Sequence, residues 1–155
     1  MAGVGQRRGS DLSNHELEQF VPGLTGSAYT VASPRSARYN CIAWAAQDER
    51  AWWWPDPMEL GFWPGGAPRQ ETLEAFRLAF RALGFVECDT PDSEPGVEKI
   101  AIYTAADGRP THVARQLGDG VWSSKLGRLQ DITHDLSGLA GSIYGSPTLF
   151  MSRPI

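Results

Sequence analysis

Cys41 and His112 are the two residues whose types and positions point most directly to covalent chemistry. Asn40 can cap a helix that begins at Cys41. The unpaired N–H groups and the dipole at a helix start favour a thiolate. An imidazole from elsewhere in the fold would take the thiol proton and later protonate the leaving group. The pair therefore predicts a nucleophile and its base, with helix-start N–H groups facing the oxyanion.

The short sequence motifs around these two residues resemble those of papain-like and NlpC/P60-type cysteine hydrolases. The word Asn-Cys-Ile-Ala-Trp-Ala at 40–45 is similar to the nucleophile helix of that family, and residues 99–103, 111–114 and 117–120 are similar to its sheet. The likeness covers roughly residues 39–126. The chain also resembles a group of bacterial proteins with the words Asn-Cys-x-x-Trp-Ala, Thr-His-x-Ala-Arg-Gln and Ser-Lys-Leu-Gly, which lends no activity.

This resemblance implies a single papain-like α+β domain over residues 13–155, in which a central helix bearing the cysteine packs on a small antiparallel sheet. A flexible tail is expected over residues 1–12, which are rich in Gly and Arg. The implied activity is that of a cysteine peptidase or amidase, so a peptide or amide substrate is expected. Two departures stand out: the usual Asp-Cys-Ser-Gly start is absent, and Arg115 occupies a strand position that is normally apolar.

A third residue should orient the histidine, and the resemblance places it twelve positions later, at Ser124. Hairpin register gives a separate criterion. A three-residue turn at 118–120 places Ser124 on the face of His112, whereas a two-residue turn at 119–120 places Ser123 and Lys125 there. Hydrophobic matching favours the second turn. The resemblance and the hydrophobic pattern thus disagree. On the resemblance Ser124 is the first candidate, and Asp131, a carboxylate just beyond the strand, is the alternative.

The remaining elements follow from periodicity and from Gly and Pro positions. Apolar residues at helical spacing predict a helix over 71–83, and short strands with polar turns predict an antiparallel meander. The segment 29–38 reads as turns, and a last helix is expected within 131–139. The expected elements are a helix from Ser13 or Asn14 to Glu18, the Cys41 helix to about Arg50, the 71–83 helix, and strands at 85–88, 99–103, 111–117, 121–125 and 148–151.

The segment 52–68 is rich in Trp, Pro and Gly, which predicts a long aromatic loop. Such a loop either packs as a lid or recognises a ligand. The residues predicted to bind substrate are Tyr39, Asn40, Trp53 and Trp54. A catalytically inactive papain-like binding module that uses this loop is the alternative to a thiol hydrolase or acyl transferase.

Composition excludes several classes of function. A formal charge of −4 with no basic run argues against nucleic-acid binding, and no apolar stretch suits a signal peptide or membrane span, so a cytoplasmic location is expected. Cys41 and Cys88 lie in unlike contexts, which disfavours a disulfide. A zinc site built from both cysteines, His112 and His134 lacks close ligand pairs. No metal or cofactor is therefore expected, and the oligomeric state is not indicated.

Overall fold

Within residues 11–155, one seven-stranded antiparallel sheet is the main element, and three short helices lie around it. The computed structural model describes residues 11–155. The strand order is β1-β6-β5-β4-β3-β7-β2. The strands are β1 Tyr29–Ser33, β2 Val86–Cys88, β3 Val97–Thr104, β4 Pro110–Gln116, β5 Trp122–Lys125, β6 Asp131–His134 and β7 Ser146–Pro154. The helices are α1 Asp11–Phe20, α2 Cys41–Ala45 and α3 Leu73–Arg81, with 3-10 turns at Pro22–Leu24 and Leu136–Leu139.

This architecture corrects the expected fold class. The papain-like α+β arrangement, with a long central helix on a small sheet, is wrong because the sheet is larger and the cysteine helix is shorter than the sequence suggested. The helix α2 ends at Ala45, and Gln47 takes a left-handed conformation (φ 63°) that stops it. Residues 29–33 and 131–134, read as turn and helix, form the paired strands β1 and β6.

The predicted helix over 71–83 and the predicted meander are confirmed. The helix is α3, which Thr72 caps by accepting a hydrogen bond from the Ala75 N–H. Strands β3, β4 and β5 follow one another as antiparallel neighbours. The tail predicted over 1–12 lies outside the described residues up to residue 10, and residues 11 and 12 belong to α1. Within residues 11–155 no helix is long and apolar enough to cross a membrane.

The two faces of the sheet carry separate cores, because side chains alternate along each strand. We call one the aromatic face, where Ile100, Ile102 and Val113 pack with α2, α3 and the tryptophan-rich loop. We call the other the histidine face, where α1 covers a second cluster. The buried strand residues of that cluster are Ala101, Tyr103, Ala114, Trp122 and Ile132.

The turn between β4 and β5 sets which residues face His112. Leu117 and Val121 close a three-residue turn in which Gly120 adopts φ +88°. Arg115 then pairs with Ser123, which places Ser124 on the histidine face and Lys125 on the aromatic face. Hydrophobic matching, which favoured the two-residue turn, is wrong here. It fails because Lys125 is buried despite its charge.

Candidate functional site

Asn40 fixes the start of α2 and so the position of Cys41. Its side-chain oxygen accepts hydrogen bonds from the Ala43 and Trp53 N–H groups, and its amide nitrogen donates to the Trp53 carbonyl at 2.7 Å. The first contact is an N-cap and the other two attach the helix to the tryptophan-rich loop. The cysteine is therefore held where two structural elements meet.

The Cys41 thiol is buried, with 8% of the residue exposed. Burial raises the pKa of the thiol to about 11, although the N–H groups of Val113, Ile42 and Cys41 and the Lys125 charge act in the opposite direction. The sequence predicted a lowered pKa. The prediction is wrong in direction because loss of hydration outweighs the few N–H groups that a five-residue helix supplies. The Cys41 thiol is therefore protonated and neutral near pH 7.

A chain of hydrogen bonds crosses the histidine face from His112 to the end of β6. His112 Nε2 lies 2.8 Å from the Ser124 hydroxyl, and the same hydroxyl lies 2.7 Å from His134 Nε2. His134 Nδ1 lies 2.6 Å from the Asp135 carbonyl. Both histidines and the serine are buried, with at most 3% of each residue exposed. Three neighbouring strands, β4, β5 and β6, supply the chain.

The hydrogen positions in this chain follow from its last acceptor. A carbonyl only accepts, so His134 carries its proton on Nδ1, and in the neutral ring Nε2 is an acceptor. Ser124 donates its one proton to that nitrogen. Ser124 can then only accept from His112, whose proton is therefore on Nε2. The free lone pair of His112 is on Nδ1, which has no hydrogen-bond partner among the described residues.

His112 is held as a neutral ring by its surroundings. It stacks on Tyr144 with ring centroids 4.1 Å apart and meets the edge of Tyr103 at 5.4 Å. Burial holds the pKa of His112 well below the ordinary 6.5, and the His134 charge acts in the same direction. A neutral imidazole with a free lone pair is a competent proton acceptor.

Cys41 lies against Val113, the residue that follows His112 on β4. The described residues show no hydrogen bond between Cys41 and His112. The sulfur packs with Val113. It also lies near Tyr144, whose ring stacks on His112: burial raises the pKa of Tyr144, and Cys41 acts in the same direction. Near this point β4 pairs with β5 only at Arg115 and Gln116. The β5 side of residues 112 and 113 is therefore unpaired, and the Val113 N–H faces the sulfur.

A charged group lies beside the thiol on the aromatic face. Lys125 is fully buried, and its ammonium donates to the Ser36 and Gly127 carbonyls at 2.6 and 2.5 Å. It also lies 4.9 Å from the Tyr39 ring centroid. Burial lowers the pKa of Lys125 to about 8, and Asp131 and Cys41 act in the opposite direction.

Asp131, the alternative third residue, is directly opposite Lys125 in the β5–β6 register. It therefore lies on the aromatic face and away from the His112 ring. Its carboxylate is fully buried, and both oxygens lack a hydrogen-bond partner within the described part of the chain. Between the two candidates, only Ser124 contacts His112.

The residues predicted to bind substrate have structural contacts. Tyr39 packs against Trp44 at 6.0 Å, Asn40 caps α2, and Trp53 is buried and donates to Asp48. Trp54 is half-buried, meets Phe76 edge-on, and donates to Glu71. The tryptophan-rich loop is thus mainly part of the core, and substrate binding by these four residues stays a prediction.

Sequence reasoning missed His134, because a helix is expected within 131–139 and nothing in the sequence links His134 to His112. It is instead the last residue of β6 and contacts Ser124. The alternation in Asp-Ile-Thr-His was the available signal, because it has the period of a strand. Arg115, the departure from the family pattern, stacks over Trp44 at 4.4 Å and donates to its carbonyl.

A groove of about 1250 Å³ opens at the β6 end of the chain of hydrogen bonds. Glu18, Tyr29, Trp122, His134 and Asp135 are among its lining residues. Residues 11–155 contain no group of three or more His, Cys, Asp or Glu side chains arranged to hold a metal ion.

The chain belongs to a family described as a domain of unknown function, DUF7689, which matches residues 30–152. The match includes α2, β4, β5 and β6, and so all the residues of the site. The chain matches no curated protein. It matches no solved structure either.

Proposed function

We propose that this member of the DUF7689 family is a thiol-dependent hydrolase or acyl transferase that acts on an amide or ester bond. Cys41 is the nucleophile and His112 the base. The observation that carries the proposal is the hydrogen bonding of His112: its Nε2 contacts the Ser124 hydroxyl, and its Nδ1 has no partner among residues 11–155. A lone pair held free in a buried ring suits a general base.

The first step joins proton transfer to attack. The Cys41 sulfur bonds to the substrate carbonyl carbon while its proton moves to His112 Nδ1, so a free thiolate need not accumulate. This suits a thiol whose pKa burial raises to about 11. Collapse of the tetrahedral intermediate expels the amine or alcohol, which takes the proton from His112. Water or another acceptor then releases the acyl group by the reverse sequence.

The N–H groups near the sulfur support the developing negative charge. Those of Cys41 and Ile42 lie at the start of α2, and that of Val113 faces the sulfur from the unpaired side of β4. Backbone donors fixed in this way stabilise an oxyanion without reorganising during the reaction. The buried Lys125 ammonium adds a positive charge on the same side.

The test is acetyl transfer from p-nitrophenyl acetate to the native protein, in a Cys88→Ser background that leaves one thiol. Mass spectrometry should locate the acetyl group on Cys41. Because a neutral imidazole assists a neutral thiol, the rate should be nearly constant from pH 7 to 9. An unassisted thiol of raised pKa would react about tenfold faster for each pH unit. His112→Gln should slow acetylation about a hundredfold and restore that slope.

The matched control is His15→Gln, because His15 is exposed and remote in sequence from the chain of hydrogen bonds. This variant should react as the parent does. Failure of native Cys41 to be acetylated, or equal rates in the parent and His112→Gln, would contradict the proposal.

A binding role without catalysis is the second candidate, and the burial of Cys41 favours it. The exposed residues Met58 and Leu60, at 78% and 84%, and the partly exposed Phe62 would supply an apolar contact surface on the tryptophan-rich loop. An unreactive Cys41 in the same acetylation experiment is the result that this alternative predicts.

A further inference from the structure

We propose that Ser124 and His134 form a proton relay, in which the proton that His112 takes from Cys41 is balanced by a proton delivered to His134. The inference rests on the proposed function and extends it: the positive charge that accompanies attack comes to lie on His134 rather than on His112. Ser124 and His134 are thus positioning residues that act through His112.

The hydrogen bonds determine the direction of transfer. His112 Nε2–H donates to the Ser124 hydroxyl, and that hydroxyl donates to His134 Nε2. Each donor is already aimed at the next acceptor, at 2.8 and 2.7 Å. Both separations are ordinary hydrogen-bond lengths, so protons can shift without moving a heavy atom far.

Three proton transfers make up the step, and they balance. The S–H bond of Cys41 breaks and an N–H bond forms at His112 Nδ1. The N–H bond at His112 Nε2 breaks and an O–H bond forms on Ser124, whose original proton moves to His134 Nε2. His112 and Ser124 end neutral, the sulfur has delivered its electron pair to the carbonyl carbon, and His134 is an imidazolium. The reverse transfers protonate the leaving group.

The surroundings of the two rings explain why the charge favours His134. His112 is fully buried between Tyr103 and Tyr144, and no carboxylate in the described part of the chain acts on its pKa. His134 donates to the Asp135 carbonyl and is close to the Asp135 carboxylate, which opposes the effect of burial on its pKa. An imidazolium is better stabilised by a carbonyl and a carboxylate than by two aromatic rings.

The groove beside His134 adds to this difference. From α1, Glu18 lines it, and from β1, Tyr29 lines it and pairs with His134 in the sheet register. Tyr29 donates to Glu18 at 2.7 Å. The titratable groups that face His134 are therefore His112, Tyr29, Glu18 and Asp135. Of these, Asp135 favours a positive charge on His134 and so opposes the effect of burial on its pKa.

The first experiment repeats the acetylation of Cys41 with variants of the serine. Ser124→Ala removes the hydroxyl that joins the rings and should slow acetylation at pH 7 about tenfold. Ser124→Thr keeps a hydroxyl and should restore the rate to within about threefold of the parent. An unchanged rate in Ser124→Ala, with His112→Gln still slow, would overturn the relay and leave the proposed function intact. Equal rates in all of these variants would remove both.

The second experiment locates the charge in the unmutated protein, so it does not depend on a variant that folds. Nitrogen-15 NMR of histidine-labelled protein reports the protonation of each ring. As the pH falls from 8, His134 should become an imidazolium before His112 does, and Asp135→Asn should move that transition to lower pH. Protonation of His112 before His134, or an unshifted His134 transition in Asp135→Asn, would overturn the proposal.

Discussion

Strands β5 and β6 bury polar side chains on both faces of the sheet, and the two faces treat them differently. On the histidine face, Ser124 and His134 are neutral and joined by hydrogen bonds. On the aromatic face, Lys125 and Asp131 are charged types placed opposite one another. The ammonium donates to two carbonyls, and the carboxylate oxygens have no hydrogen-bond partner within residues 11–155.

Side chains alternate between the two faces along each strand, and the two faces show two different results of that alternation. Neutral groups that hydrogen-bond to one another in a chain fix the positions of their hydrogens, because each atom that receives a hydrogen bond must act as an acceptor there and can donate only to the next group. Opposite charges that do not touch instead create a field, which reaches Cys41 on the same face. A one-residue shift of β5 would exchange these roles, so the three-residue turn determines which face each of these side chains occupies.

Removing the ammonium should give the largest effect on stability. Lys125→Met leaves the buried Asp131 carboxylate without its nearest cation in the register and should lower the free energy of unfolding by about 3 to 5 kcal/mol. Urea unfolding at pH 7 measures the change. The double variant Lys125→Met with Asp131→Leu should recover most of the loss, since both charges are then absent. A loss below about 1 kcal/mol in the single variant would refute a strong role for this pair.

Removing the hydroxyl on the opposite face should have a smaller effect. Ser124→Ala leaves the His112 N–H and the His134 lone pair without a partner, which should lower the free energy of unfolding by about 1 to 3 kcal/mol. The same urea experiment compares it with Lys125→Met. Ser123→Ala is a neighbouring control, because Ser123 lies on the aromatic face and accepts one bond from Trp44. A Ser124→Ala protein as stable as the parent would show that the two histidines find other partners.

The buried neutral histidines should make the free energy of unfolding depend on pH in acid. Burial lowers the pKa of His112 and of His134 below the ordinary 6.5. The unfolded chain therefore binds protons that the folded chain excludes, and the free energy of unfolding falls as the pH drops below about 6.5. The limiting slope is about 1.4 kcal/mol per pH unit for each histidine. Urea unfolding from pH 7 to 5 measures it.

One variant tests whether His112 contributes to this pH dependence of the free energy of unfolding. His112→Gln should remove one proton from the difference between the unfolded and folded chains, whereas His15→Gln should not change it because His15 is exposed. Equal slopes for the parent and His112→Gln would mean that another group controls stability in acid.

Much of the fold could be predicted from local sequence patterns. The apolar stripe of α3, the Asn40 cap of α2 and the hairpins of the meander depend on neighbours in sequence, and each could be predicted. The candidate pair Cys41 and His112 came from residue type and resemblance. Ser124 came from a count of residues, and the three-residue turn explains why that count reaches the correct face.

The missed features depend on distant pairing. Strand β1 lies in a segment that resembles turns, and it becomes a strand through β6, about a hundred residues later. The same pairing turns 131–134 into a strand and brings His134 to Ser124. The burial of Lys125 also depends on a segment that is distant in sequence, because the Ser36 carbonyl that accepts its hydrogen bond comes from before α2. Short windows of sequence contain none of this information.

The hydrogen bonds of Asn40 also restrict which residue can precede Cys41. The side chain accepts from two N–H groups and donates to a carbonyl, so it needs an acceptor and a donor at its two ends. Aspartate has the same shape but would bring its second oxygen against the Trp53 carbonyl. Spontaneous deamidation of Asn40 would therefore weaken the attachment of the tryptophan-rich loop to α2, so chemical ageing at this one side chain would loosen the loop.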